Sequence, residues 1–198
     1  LVNYKGADDT ISALRYLTEV DWPTERLELI VVDNDSQDGS EAKISAAVPT
    51  ARVIQSGANL GFAGGCNLGV AEANGDVIAF LNNDARPHDQ WIRAAVSALQ
   101  SDSSIGAVAS RVLDWEGETI DFVDGSLTWY GMGYKREVGQ PANNNYEREK
   151  DVLFATGAAM FIPKAVFEDV GGFDERFFMF YEDVDLGWRL NLMGYRVR

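Results

Sequence analysis

Dense apolar runs alternate along this chain with segments in which apolar residues recur every three or four positions. LVNY (Leu1 to Tyr4) reads as the end of a strand, and Thr10 to Glu19 places Ile11, Leu14 and Leu17 at helical spacing. Trp22-Pro23 interrupts the chain before LELIVVD (Leu27 to Asp33), a β-branched and nearly continuous apolar run of the kind found in strands covered on both faces. NDSQDGS is a turn cluster, and Ser40 is placed to cap a short helix. ARVIQS predicts a strand, and NLGFAGGCNLGVAEANG predicts a Gly-rich loop running into a small-residue helix that stops at Gly75. DVIAFL is the next strand, Asp89 to Gln100 the next helix, and IGAVAS the strand after it.

The second half has a different texture. Arg111 to Lys150 is rich in Gly, Asn, Trp and Tyr with weak periodicity, which predicts an irregular or antiparallel region laid over the open rim of the sheet. FATGAAMFIP resumes as a strand, followed by a short helix, an aromatic loop and a helix from about Glu182 to Met193. Repeated strand–helix alternation predicts an α/β fold, a mostly parallel central sheet with helices on both faces and right-handed crossovers. No linker or repeat is visible, so the expectation is one domain over residues 1–198. LVNY and GYRVR both read as interrupted strands, which predicts a fragment of a longer protein, truncated at both ends.

Composition narrows the partners. With 17 Lys and Arg against 31 Asp and Glu, the 198 residues carry a formal charge of −14, and so acidic a surface argues against nucleic acid. An anionic ligand would need a local device, such as a metal ion, a helix N-terminus or backbone amides. One cysteine, Cys66, permits no internal disulfide and fits a reducing compartment. His88 is the one histidine, which excludes a His-rich metal site and disfavours a Ser-His-Asp triad. No apolar run nears the roughly 20 residues that span a bilayer, and no signal peptide is visible.

Ligands of doubly wound sheets bind beyond the carboxyl ends of the strands. VNY, VDND and NND each follow a strand, so three separate stretches converge on one rim. Asp84 in VIAFLNNDA is either a turn former, as Asn, Asp and Pro after a strand commonly are, or a ligand for a hard cation such as Mg²⁺ or Mn²⁺. Asn82 and Asn83 offer amides suited to hydroxyls without adding charge. Asp33 and Asn34 leave the neighbouring strand; an Asn amide matches the donor–acceptor edge of uracil or thymine, and Tyr4 can stack on a base. A plain strand-to-turn transition is the alternative. The Gly-rich stretch, with Asn59 and Asn67, either exposes N–H groups to phosphate or packs a helix tightly on the sheet. In FYEDVDLGWRL, Glu182 and Asp185 share a helix face and Asp183 points about 100° away. Acids suit a helix N-terminus in any case, but the aromatic flank FFMFY would shield a carboxylate and raise its pKa toward a general base.

Taken in order, LVNYKG, LELIVVDNDSQDGS, NLGFAGGCNLGVAEANGDVIAFLNNDA and FATGAAMFIPKAVFEDVGGFDERFFMFYEDVDLGWRLNLMGY resemble family-2 glycosyltransferases with the GT-A fold, nearest the rhamnosyltransferase-like and galactofuranosyltransferase-like branch. The resemblance covers nearly all of the chain outside Arg111 to Lys150. It implies inverting transfer from a UDP- or dTDP-linked sugar to a glycan or lipid-linked acceptor in cell-wall or polysaccharide biosynthesis. By that resemblance residues 1–110 bind nucleotide and 111–198 bind acceptor. Asp84 matches the last acid of the family's Asp-x-Asp motif and would hold Mg²⁺ or Mn²⁺, with Asn82 in place of the first acid. Asp33 and Asn34 match the pyrimidine-binding turn, with Asn34 where some members have Asp. Tyr4, Asn59, Asn67, Asn82 and Asn83 join the nucleotide site, Thr156 and Gly157 the sugar and acceptor site. Asp183 with Glu182 matches the catalytic Glu-Asp pair, and Asp183 is the implied base. A metal-binding His that relatives often carry would fall beyond Arg198. The implied place of action is the cytoplasm, with peripheral contact at the inner membrane face. Two rivals stand beside this reading: a sugar-nucleotide or glycan-binding module that lost catalysis, and a sugar nucleotidyltransferase, for which NYKGADDT lacks the basic triphosphate loop.

Overall fold

The computed structural model describes residues 1–143 and 148–198; the part of the expected irregular segment at 144–147 lies outside the described residues. Strands β1 (Val2–Asn3), β2 (Leu29–Asp33) and β3 (Ala51–Gln55) form a parallel sheet in the order β1-β2-β3. Helix α1 (Ala7–Glu19) presents Ile11, Leu14 and Leu17 to it, and α2 (Ser40–Ala47) adds Ile44. Leu14, Val31 and Ile44 are fully buried there. Each such side chain contributes roughly 1.5–3 kcal/mol of transfer free energy, so the 3.6-residue period of α1 is what fixes its face. Ser40 does not cap α2. It is the first helical residue, and its N–H and hydroxyl both donate to Asp38 from a left-handed Gly39.

The Gly-rich stretch is helix rather than loop. Helix α3 (Gly61–Glu72) begins at Gly61 and ends before the expected Gly75. Its small residues let it lie close to the sheet: a Cβ on Gly65 would stand 3.0 Å from Val2 and 3.3 Å from the Asn34 amide. Cys66 faces this core, where burial pushes its thiol up to about 12.

The remainder of the expected single central sheet is a separate four-stranded sheet, and it is mixed rather than mostly parallel. Strands β4 (Val77–Leu81) and β5 (Ile105–Ala109) flank β10 (Ala159–Pro163), which runs antiparallel to both, while β11 (Arg196–Val197) pairs parallel with β5. An apolar run does not encode its own direction, and AMFIP is buried on both faces either way, with Met160, Phe161 and Ile162 at 1% exposure or less. The reversal matters for the site. Ala159 pairs with Leu81, the last residue of β4, so the residues just before β10 emerge at the carboxyl rim. Helix α4 (Trp91–Ser101) covers β5, and two short hairpin-like pairs follow it: β6 (Val112–Leu113) with β7 (Ile120–Phe122), and β8 (Gly125–Leu127) with β9 (Gly133–Lys135). After α5 (Lys164–Asp169), helix α6 (Glu182–Leu192) returns to the rim, burying Leu186 and Leu190.

Candidate active site

The rim behind β1, β2 and β4 is held by one hydrogen-bonded network. Asn3 donates its amide to Asp33 at 2.6 Å and accepts from the Thr10 hydroxyl at 2.8 Å. Ser36 donates both its N–H and its hydroxyl to Asp33. Asn83 donates to Thr10 at 3.2 Å, so the turn after β4 is tied to helix α1. Asn3, Thr10, Asp33 and Ser36 are all buried. A buried carboxylate is tolerable only when it accepts such bonds, and this one accepts three. Asn3, Thr10 and Ser36 were not among the sequence candidates. For Asn3 and Thr10 the signal that could have flagged them is polarity at strand and helix positions that face the core; Ser36 sits in the turn and carries no such signal.

The sequence candidates separate into groups. Tyr4 is half exposed on the rim with the Lys5 ammonium 5.1 Å from its ring centre. Asn34 is buried, donates to the Gly61 carbonyl at 2.7 Å and leaves its Oδ1 without a partner among the described residues. Asn59 accepts from the Gly61 N–H at the start of α3. Asn67 lies elsewhere, its amide clamping the backbone N–H and carbonyl of Phe173 at 3.0 and 2.8 Å. Asn82 joins the rim through its backbone, donating to the Ala158 carbonyl at 2.9 Å. Asp84 is exposed and makes no hydrogen bond or ion pair among the described residues.

Asp183 reaches the same rim from α6. Its Oδ2 accepts the Gly157 N–H at 2.9 Å and its Oδ1 the Val184 N–H at 2.8 Å. Gly157 precedes Ala158, which accepts from Asn82, so two backbone links join Asp183 to the turn that carries Asp84. Thr156 is buried, and its carbonyl accepts from the Ala159 N–H in the turn that leads into β10. Burial pushes the Asp183 carboxyl above its usual range, opposed by those two N–H groups and by Lys135.

The aromatic flank is not the shield expected for these acids. Phe178, Phe180 and Tyr181 have φ of 59°, 72° and 72°. These left-handed residues turn the FFMFY rings outward, with Phe180 at 72% exposure. The cover comes from Phe62, which lies against Gly157 beside Glu182. Arg189 pairs with Asp185 at 2.7 Å and also donates to the Gly172 carbonyl, while Trp188 stays half exposed.

Glu182 is the buried acid of the pair, with Oε2 unpartnered among the described residues. Burial raises its carboxyl from 4.5 to about 7. Between those values the folded chain holds a proton that the unfolded chain has lost, so stability falls as pH rises from about 4.5 to about 7. Glu182→Gln keeps the shape and removes the titration. Its melting temperature is expected to exceed that of wild type at pH 8, by roughly 1–3 kcal/mol of stability, and to converge with it at pH 4.5. Thermal melts at the two pH values check this; a variant that is less stable than wild type at pH 8 refutes it.

A cavity of about 1020 Å³ opens on this rim, lined by Asn82, Asp84 and Ala158 and extending to Arg86 and Trp115. Metal fit is decided by the donor set. No group of three or more His, Cys, Asp or Glu side chains clusters among the described residues. An unencumbered single carboxylate such as Asp84 suits a hard cation that takes its other oxygens from a phosphate ligand and water.

A family model described as "Glycosyl transferase family 2" matches residues 4–171. The chain is 29% identical over 210 aligned residues to an N-acetylglucosaminyl-diphospho-decaprenol L-rhamnosyltransferase of Mycobacterium tuberculosis, covering 91% of this chain and 66% of that protein. It is 31% identical over 194 residues to the low-salt glycan biosynthesis hexosyltransferase Agl10 of Haloferax volcanii, covering 96% of this chain and 59% of that one. The chain thus spans about two thirds or less of the length of these relatives. In fold it is similar to the mannosyltransferase PcManGT from Pyrobaculum calidifontis, solved with GDP-Man and Mn²⁺, at a TM-score of 0.72 and 20% identity over 99% of this chain and 52% of that one. That likeness shows the GT-A architecture.

Proposed function

The chain belongs to glycosyl transferase family 2, and on that premise we propose that the protein moves a sugar from a UDP- or dTDP-linked donor to a glycan or lipid-linked acceptor, with inversion. The observation that carries this reading is the backbone bridge from Asp183 through Gly157 and Ala158 to Asn82, which sets a half-buried carboxylate on the same rim as the free Asp84. The names of relatives support the classes of ligand: a mannosyltransferase solved in complex with GDP-Man and Mn²⁺, and a rhamnosyltransferase named for a diphospho-decaprenol acceptor.

Asp183 takes the proton of an acceptor hydroxyl as that oxygen attacks the anomeric carbon from the face opposite the diphosphate. The new C–O bond forms, the bond to the diphosphate breaks, and the diphosphate leaves with the electron pair. The N–H groups of Gly157 and Val184 hold the Asp183 carboxylate in place through this step. Asp84 would hold Mg²⁺ or Mn²⁺ on the donor diphosphate, offsetting the charge of the leaving group. Tyr4 supplies the exposed ring for the base, and the Asn3–Asp33–Ser36 network fixes the turn beneath it. The proposal includes action in the cytoplasm, with peripheral membrane contact where the acceptor is lipid-linked. Incubation with UDP- and dTDP-hexoses tests the assignment by nucleotide release and by NMR of the product anomer. An α-linked donor is expected to give a β-configured product, and retention of configuration overturns the mechanism.

A further inference from the structure

The Asp84 carboxylate makes no hydrogen bond or ion pair among the described residues, so its place on the rim is set by the turn that carries it. Upstream, that turn is well anchored. Leu81 pairs with Ala159, the Asn82 N–H donates to the Ala158 carbonyl at 2.9 Å, and the Asn83 amide donates to Thr10 at 3.2 Å. The turn itself is closed by the Ala85 N–H, which donates to the Asn82 carbonyl at 3.2 Å. Downstream stands Arg86. Its guanidinium donates to the Trp115 carbonyl at 3.0 Å, and it lies 4.9 Å from the Trp115 ring centre and 5.8 Å from that of Tyr16. Both anchors belong to ordered backbone. Tyr16 is part of α1. Trp115 sits on a turn whose Asp114 carboxylate accepts the N–H groups of Glu118 and Thr119 at 2.7 and 3.1 Å and the Thr119 hydroxyl at 2.7 Å.

We propose that Arg86 is a positioning residue for Asp84: it ties the downstream arm of the Asp84 turn to α1 and to the Trp115 turn, and so holds the carboxylate where a divalent cation on a donor diphosphate needs it. The inference rests on the metal role given to Asp84 in the glycosyltransferase reading and deepens it. Charge alone predicts the opposite effect. A guanidinium two residues from a metal-binding carboxylate repels the cation, so by Coulomb's law alone the site binds metal better without Arg86. A positional role makes it bind worse, and the sign of the change decides between them. Shape separates position from charge a second time. Arg presents a planar fork that stacks on a ring while it hydrogen-bonds, whereas a Lys ammonium carries the charge without the plane. Arg86→Lys is therefore expected to fail along with Arg86→Ala. Trp115→Phe, which keeps a ring and the accepting carbonyl, is expected to succeed where Trp115→Ala fails.

Titration of Mn²⁺ in the presence of UDP, followed by electron paramagnetic resonance, reads the cation directly. Calorimetric titration with UDP after chelation reads the nucleotide alone. Arg86→Ala and Arg86→Lys are expected to bind Mn²⁺ about tenfold more weakly than wild type, Trp115→Ala about threefold more weakly, and Trp115→Phe within about twofold of wild type. UDP affinity after chelation is expected to be the same in wild type and in all of these variants, which separates the positioning of Asp84 from direct contact between Arg86 and the diphosphate. Mn²⁺ affinity unchanged or raised in Arg86→Ala, Mn²⁺ affinity restored in Arg86→Lys, or a loss of UDP affinity that persists after chelation overturns the role. Failure of the underlying reading shows separately. A wild type that binds no Mn²⁺ with UDP present, or an Asp84→Ala variant that binds it as tightly as wild type, removes the metal from Asp84 and the role of Arg86 with it.

Discussion

Asp183→Asn is expected to lower sugar transfer by about 10³-fold while leaving UDP affinity within about twofold of wild type. The substitution preserves volume and removes the carboxylate at the start of α6 that is tied to the rim through the Gly157 N–H. A structural cost comes with it, because both carboxylate oxygens accept backbone N–H groups and an amide can satisfy only one of them. The unsatisfied N–H costs about 1–3 kcal/mol of stability, which is why UDP affinity belongs in the same experiment as the rate. Burial raises the Asp183 carboxyl, so wild-type transfer should climb with pH through a midpoint above the ordinary 3.8, and the variant should lose that limb. Near-normal turnover by the variant would remove Asp183 as the base.

Asp84→Ala has the second-largest expected effect. Asp84 is exposed and unpaired among the described residues, so truncation leaves the fold almost unaltered, with a change in stability of about 0.5 kcal/mol or less. Transfer is nevertheless expected to fall about a hundredfold or more, because the leaving diphosphate loses the cation that offsets its charge. UDP binding by the variant should no longer respond to added Mn²⁺. A variant with unchanged Mn²⁺ dependence would assign the metal elsewhere.

How much of this could be read in the residues depended on the range of the interaction. The rim after β2 and β4 was legible, because an apolar run that stops at Asp33 or at Asn82 must end where the sheet ends. Helix α1 was legible through the spacing of Ile11, Leu14 and Leu17. The direction of β10 was not, since burial on both faces looks the same for either orientation, yet it is this reversal that brings Gly157 to Asp183. The bond from Asn3 to Asp33 was not legible because it spans 30 positions, and the clamp of Asn67 on Phe173 spans 106. FFMFY read as a shield over the neighbouring carboxylates because its composition is apolar; three residues with positive φ lie in it, and its rings face outward. Such conformations cost on the order of 1–3 kcal/mol each and are characteristic of functional loops.

The central claim is that one rim of the sheet binds a pyrimidine nucleoside diphosphate through a metal at Asp84. Calorimetric titration with UDP and with dTDP, in Mn²⁺ and again after chelation, tests it most directly. Saturable binding of at least one nucleotide in Mn²⁺, weakened about tenfold or more by the chelator, is the predicted result. Absence of binding by both nucleotides in Mn²⁺, or affinity indifferent to the chelator, contradicts it.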